Sequence, residues 1–292
     1  EGCVVVPFGP FHPTLDEPEH FRLYVEGEIV RGCEYRGFMV HRGIEKLADS
    51  VMTYNEIPML AERICGICGC VHSVAYAQAV EQAAAIRPTR RAEFIRTIML
   101  EMERLHSHTL WVGLASHILG FDTLFMQTFR IREPIMWMAE KITGNRKTYS
   151  LCLIGGVRWD ITPDLRRDLR AMLDRAISGD GNIQARTRGI GVADRRLVKS
   201  MALLGPIARA SGVGIDARKD HPYAAYDDVE FDVIVQDGCD VWSRILVRTL
   251  EVFESIKIIR QSLEKMPDEP IQAPITDELP PDRMGLSSVE AP

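Results

Sequence analysis

The sequence predicts a mainly α-helical chain with a small β-rich part at its N-terminus. Three observations carry that expectation. Apolar and polar residues alternate early in the chain, as at Phe21, Leu23 and Val25, which is the period of a half-buried strand. From about Lys46 the apolar period lengthens to that of a helix. Residues 90–118 then place Phe94, Ile95, Ile98, Met99, Met102 and Leu105 on one stripe, with Glu101, Arg104 and His108 elsewhere on the same cylinder.

Taken in order, Cys3 to Phe8 is a short apolar run that reads as a strand. Gly9-Pro10-Phe11-His12-Pro13 follows as a rigid loop, because its prolines fix φ and forbid helix. Phe21 to Val25 is a second strand, Glu26-Gly27-Glu28 a turn, and Ile29 to Tyr35 a third strand. Helices are expected around 51–62, 72–85, 90–118, 122–142, 163–178 and 240–265. In the last of these, Trp242, Ile245, Leu246, Leu250 and Phe253 recur at helical spacing. Gly144-Asn145 is a stop signal, and Gly155-Gly156 marks a tight turn or a close backbone approach. Residues 267–283 are rich in proline and acids and read as a surface connection. The organisation expected is a β-rich region over 1–50, a helical body over 51–266 and a proline-rich connection over 267–292.

Hydrophobic residues make up 46% and charged residues 26% of the 292 positions, the balance of a globular protein with a large core. A net charge of -6 supplies no basic field for nucleic acid. The apolar stretch from Thr109 to Phe121 carries His117 and falls short of the roughly 20 residues that span a bilayer. No basic n-region or cleavage pattern precedes Pro7, so no signal peptide is read. A membrane role is therefore expected to come through partner subunits.

The cysteines Cys3, Cys33, Cys65, Cys68, Cys70, Cys152 and Cys239 are odd in number and scattered, unlike a disulfide framework. Reduced thiols in the cytoplasm are expected. The cluster in Arg63-Ile64-Cys65-Gly66-Ile67-Cys68-Gly69-Cys70-Val71-His72 is where chemistry is concentrated. Two thiolates separated by two residues converge on one metal, and glycines between them let the backbone turn tightly. Such a pair suits zinc, an iron–sulfur cluster, a redox dithiol or a bimetallic thiolate site. Zinc requires four ligands, for which Cys70 or His72 is available nearby. A cluster requires a distant fourth cysteine, Cys152 or Cys239, neither of which lies in a motif. A thioredoxin-like dithiol requires a βαβ setting, which the helical flanks do not provide. The bland alternative is a set of buried small hydrophobes.

The spacing Arg63-x-Cys65-Gly66-x-Cys68-x-x-x-His72 resembles the N-terminal metal motif of [NiFe] hydrogenase large subunits. Further segments resemble the energy-converting, membrane-associated branch in the same order. These are Gly9 to Pro13, His41-Arg42-Gly43-Ile44-Glu45, Glu103 to His108, Gly155 to Arg158, Asp220-His221-Pro222-Tyr223 and Gly285 to Pro292. The framework is also similar to the quinone-site large subunit of respiratory complex I, which generally lacks the cysteine pair.

The resemblance implies the helical body of that large-subunit type and a nickel–iron centre whose iron carries carbon monoxide and cyanide. It assigns Cys65 as a terminal nickel ligand, Cys68 as a nickel–iron bridge and His72 as hydrogen-bond partner of the bridging sulfur. It assigns Glu17 as first proton acceptor, which requires a partly buried carboxyl of raised pKa. Glu45 is a second proton or polar-network residue, with helix-start capping as its bland alternative. Arg63 is placed near the cyanides, or in an ion pair with Glu62 or Glu103. The implied activity is hydrogenase: reversible exchange of protons and electrons with hydrogen. The implied partners are a small subunit bearing a [4Fe-4S] cluster and membrane ion-translocating subunits, with the chain peripheral on the cytoplasmic face of the membrane. Family members carry a second pair, Asp-Pro-Cys-x-x-Cys, beyond a segment like Gly285 to Pro292, and this chain shows no second CxxC. It therefore holds half of the thiolates. The competing expectations are a complex-I-like or sulfur-reducing oxidoreductase subunit and a non-catalytic scaffold.

Overall fold

A computed structural model describes residues 2–12, 15, 17–175, 187–275 and 278–292. The chain forms two compact units, Glu1–Met52 and Thr53–Pro292. In the first, β1 (Val4–Phe8), β2 (His20–Glu26) and β3 (Ile29–Arg36) form an antiparallel sheet in the order β1-β2-β3. The register pairs Val6 with Leu23 and Leu23 with Cys33, so the alternation read in β2 becomes a pleat with one more apolar face. Helix α1 (Ile44–Ser50) completes this unit. Pro13 and Asp16 of the β1–β2 loop lie outside the described residues.

The second unit is helical. Its start is broken where a single helix over 51–62 was expected: α2 spans only Ile57–Ala61, followed by a 3-10 turn at Glu62–Ile64. Pro58 accounts for the break, since proline disfavours helix before itself and suits the first turn of a new one. Helix α3 (Gly69–Ala84) begins immediately after the cysteine pair, three residues earlier than its apolar period indicated. Helices α4 (Arg90–Ile118), α5 (Asp122–Thr143) and α6 (Pro163–Arg175) follow, and positions 176–178 of the helix expected over 163–178 lie outside the described residues. Short helices α7 (Arg195–Ser200), α8 (Gly205–Arg209) and α9 (Ala217–Asp220) were not expected, because segments of four to six residues carry too little period to read. The long α10 (Val241–Lys265) closes the body, its N-terminus capped by Asp240. Among the described residues no helix is long and apolar enough to cross a membrane.

Helix α4 is the axis of this body. Thr89 caps it by accepting from Ala92 N–H, and the predicted apolar stripe is buried almost completely. The polar residues set elsewhere on the cylinder are buried too, because α5 and α10 pack on other sides of α4. Each therefore takes a partner. Glu101 accepts from Tyr226, Ser255 and Arg218, and His108 Nε2 lies 2.6 Å from Glu251. Arg96 binds Glu81 at 2.6 Å and the carbonyls of Leu153 and Gly156.

The proline-rich segment is more than a surface connection. Gly155 and Gly156 sit in the hairpin of β4 (Cys152–Leu153) and β5 (Gly156–Val157). A Cβ on Gly156 would lie 2.3 Å from the Ile271 carbonyl, so glycine is required there. Val157 N–H donates to Ile271 and Ala273 N–H to Gly155, while Ile271 and Leu279 pack against the core. The final residues lie on α3: Ser287 donates to the Ala75 carbonyl, and Arg209 and Arg104 hold the Glu290 carboxylate and the Glu290 and Ala291 carbonyls.

A buried guanidinium stripped of its carboxylate is far costlier than an exposed one. Glu81→Ala is expected to lower the stability of the second unit by about 3–5 kcal/mol, read as a lower denaturant midpoint at unchanged m-value. Acidification is a second test. Burial holds His106 near pKa 3, aided by Arg132, and His108 near 4, against an ordinary 6.5. The unfolded chain binds these protons first, so stability is full above about pH 6.5 and falls as pH drops toward 4 and then 3. The denaturant midpoint is expected to follow that fall, less steeply in His106→Gln.

Candidate metal centre

The cysteine pair lies on the path between the 3-10 turn Glu62–Ile64 and α3. Cys65 is extended, and Cys68 is the residue that caps α3. The Cys65 sulfur receives the N–H groups of Ile67 at 3.4 Å and Cys68 at 3.3 Å, which folds the loop back on itself. Cys68 Sγ faces His72 Nε2 at 3.6 Å, one turn further along the helix. The ligand atoms of Cys65, Cys68 and His72 all lie within 4.8 Å of one another. All three are partly buried, and Ile64 and Ile67 beside them are exposed.

Electrostatics favour a thiolate here. Hydrogen bonding from the Cys68 thiol, then from His72, pulls the Cys65 thiol far below its ordinary range. The same neighbour, with burial, pushes Cys68 up, so the pair releases one proton readily and holds the second. A cation of positive charge in the loop reverses that penalty. Two soft sulfurs with an imidazole in reach fit one half of a thiolate-ligated nickel–iron site. Cys70 does not join them. Its side chain is buried in the core, with Cys152 in the same cluster, as small hydrophobes are.

Of the groups that hold this loop, the sequence singled out Glu62 and Glu103 only as ion-pair partners of Arg63 and Glu103 as the start of the Glu103–His108 segment. Glu103, fully buried on α4, accepts from Cys70 N–H at 2.8 Å, Val71 N–H at 3.0 Å and the Thr148 hydroxyl at 2.7 Å. These are free N–H groups of the first turn of α3, where a carboxylate is also favoured by the helix dipole. Burial pushes the Glu103 carboxyl up to about 8, against the pull of its three donors. Glu62 is also buried and accepts from Ser150 N–H at 2.8 Å. Arg63 pairs with Glu62 at 2.9 Å rather than with Glu103, donates to the Met59 carbonyl, and lies over the Tyr149 ring at 4.9 Å. Glu103 lies 33 positions beyond Cys70 along the chain, whereas Glu62 and Arg63 adjoin the motif.

Glu17 and Glu45 belong to the N-terminal unit. Glu17 is exposed within this chain. Glu45 is exposed in the first turn of α1, a position that the helix dipole favours by itself. His12 stacks on Phe8 at 4.2 Å in the same unit.

Comparison with known proteins gives a consistent picture. The family described as respiratory-chain NADH dehydrogenase, 49 Kd subunit, matches residues 119–290, and the nickel-dependent hydrogenase family matches residues 42–116. Formate hydrogenlyase subunit 5 of Escherichia coli (strain K12) is 46% identical over 99% of this chain and 52% of its own length. The chain thus spans about half the length of that relative. A carbon monoxide-induced hydrogenase of Rhodospirillum rubrum is 37% identical over 98% of this chain and 82% of its own length. The structure of a membrane-bound sulfane sulfur reductase, an archaeal respiratory membrane complex, contains a chain that matches with TM-score 0.82 and 30% identity. That match covers 93% of this chain and 75% of the other.

Glu103→Ala strips its partners from two buried N–H groups at once. The expected cost is about 3 kcal/mol, from about 1–3 kcal/mol for each unsatisfied group. Hydrogen exchange at the Cys70 and Val71 amides should accelerate in parallel, and unchanged exchange there would contradict the anchoring.

Proposed function

Because the chain belongs to the family that joins nickel-dependent hydrogenase large subunits with the 49 Kd subunit of respiratory-chain NADH dehydrogenase, we propose that it is the large subunit of a membrane-associated [NiFe] hydrogenase complex. The reaction is the reversible exchange of protons and electrons with hydrogen. One observation carries this reading: Cys65, Cys68 and His72 converge within 4.8 Å inside the span that matches the nickel-dependent hydrogenase family. The relative with 46% identity is itself a formate hydrogenlyase subunit.

Cys65 and Cys68 would hold the metals through their sulfurs. The centre, when bound, supplies the redox couple and the Lewis acidity that polarise hydrogen. The protein residues then have three tasks. Cys65 Sγ would receive and pass on a proton. His72 hydrogen-bonds Cys68 Sγ and withdraws charge from it. Arg63, fixed over Tyr149 and by Glu62, presents positive charge beside the loop. Glu17 and Glu45 are the carboxylates assigned to proton transfer. The second thiolate pair of the centre is not among the residues of this span. Electrons leave through a small subunit bearing a [4Fe-4S] cluster, and membrane ion-translocating subunits anchor the assembly on the cytoplasmic side.

A second reading is a sulfur-reducing or complex-I-like subunit, and it draws on the likeness to the sulfane sulfur reductase. The two differ in metal content and turnover. For the hydrogenase, the purified complex should contain nickel and iron and show infrared bands of bound carbon monoxide and cyanide. Cys65→Ser and Cys68→Ser should each abolish hydrogen turnover while the fold survives. Wild-type turnover in both variants, or reduction of a sulfur compound by a nickel-free complex, would defeat the proposal.

A further inference from the structure

The segment between α5 and β4 touches the cysteine loop at both ends, through a side chain with no part in the family motif. Tyr149 donates its hydroxyl to the Cys65 carbonyl at 3.1 Å. Its ring lies against Gly69, where a Cβ would stand 2.3 Å from Cε1 and 2.7 Å from Cδ1. One side chain thus contacts the backbone before and after Cys68. Arg63 covers the ring, and the flanking residues are anchored as well: Thr148 donates to Glu103, and Ser150 N–H donates to Glu62. Thr148 and Ser150 have φ of 59° and 65°, a left-handed conformation that non-glycine residues seldom adopt. Such backbone persists where surrounding contacts over-determine it, and it clusters at functional sites.

We propose that Tyr149 is a positioning residue that braces the Cys65–Gly69 loop, so that a segment distant in sequence sets the separation of the two sulfurs. The brace stands on the contacts above; only its consequence for bound metal rests on the nickel reading. Without the phenol oxygen, the Cys65 carbonyl is free to rotate and the loop samples a wider range of sulfur positions. The ring alone still packs under Gly69, so Tyr149→Phe changes one hydrogen bond and leaves the packing intact.

The test uses the intact complex purified with its partner subunits, as wild type and Tyr149→Phe, both with unchanged thermal midpoints. In one arm, nickel release to a chelator is timed, with about fivefold faster loss expected for one hydrogen bond. In the other arm, the metal-stripped complex is treated with diamide. Two thiols then give up two electrons and two protons to the diamide nitrogens as the Cys65–Cys68 disulfide forms, and the linked peptide is quantified by mass spectrometry. A loosened loop should close this bond about fivefold faster. Gly69→Ala presses a methyl into the ring and against the Glu62 carbonyl and should accelerate the same reaction, a second route should Tyr149→Phe fail to fold. An unchanged disulfide rate in a folded Tyr149→Phe overturns the brace whatever the metal arm gives. A wild-type complex without nickel, combined with an altered disulfide rate, sustains the brace and removes the hydrogenase reading instead.

Discussion

Two buried N–H groups at the start of α3, those of Cys70 and Val71, end on one buried carboxylate, Glu103. The geometry of the cysteine loop depends on that junction. A helix N-terminus must find partners for its free donors, and where it is buried a side chain can supply them. Glu103 does so from α4, the most enclosed helix of the body. The ligand loop is therefore tied to the core where it enters α3, and Cys68, which caps that helix, inherits its position from the packing of α4.

The same logic recurs through the helical unit. Arg96, Arg104, Arg209 and Arg218 are nearly inaccessible to solvent, and each is matched by carboxylates or carbonyls drawn from distant parts of the chain. Buried ion pairs contribute little net stability against an apolar core, but breaking one is costly, which makes them devices of specificity here. The Glu81–Arg96 pair receives the 152–157 hairpin, and Arg104 with Arg209 receives the segment that ends at Pro292. Chain segments without a strong period of their own are thus given one place to lie.

These pairings also explain what could and could not be read beforehand. The stripe in α4 was legible because six large apolar residues recur at helical spacing, and the strands because Phe21, Leu23 and Val25 alternate. The burial of Glu101, Arg104 and His108 was not legible, since a charged face looks the same whether it meets water or partners from α9 and α10. The break at Pro58 was available in principle, because proline at the first turn is a local signal. The short helices α7 to α9 were not, being stabilised by tertiary contacts. At the site, Cys65, Cys68 and His72 stood in one motif, and their proximity follows from helical spacing plus a tight loop. Tyr149 and Thr148 went unread, and Glu103 and Glu62 were read only as partners of Arg63, because their anchoring roles come from long-range packing. Glu17 shows the reverse: its assignment came from resemblance alone, and it is exposed within this chain.

The account turns on what Cys65 and Cys68 hold. X-ray absorption at the nickel edge of the purified complex tests this most directly, because it reports the atoms bound to the metal independently of turnover. A sulfur-dominated shell is predicted, with sulfur lost from it in Cys65→Ser. A nickel-free complex, or a shell of nitrogen and oxygen that the substitution leaves untouched, would contradict it.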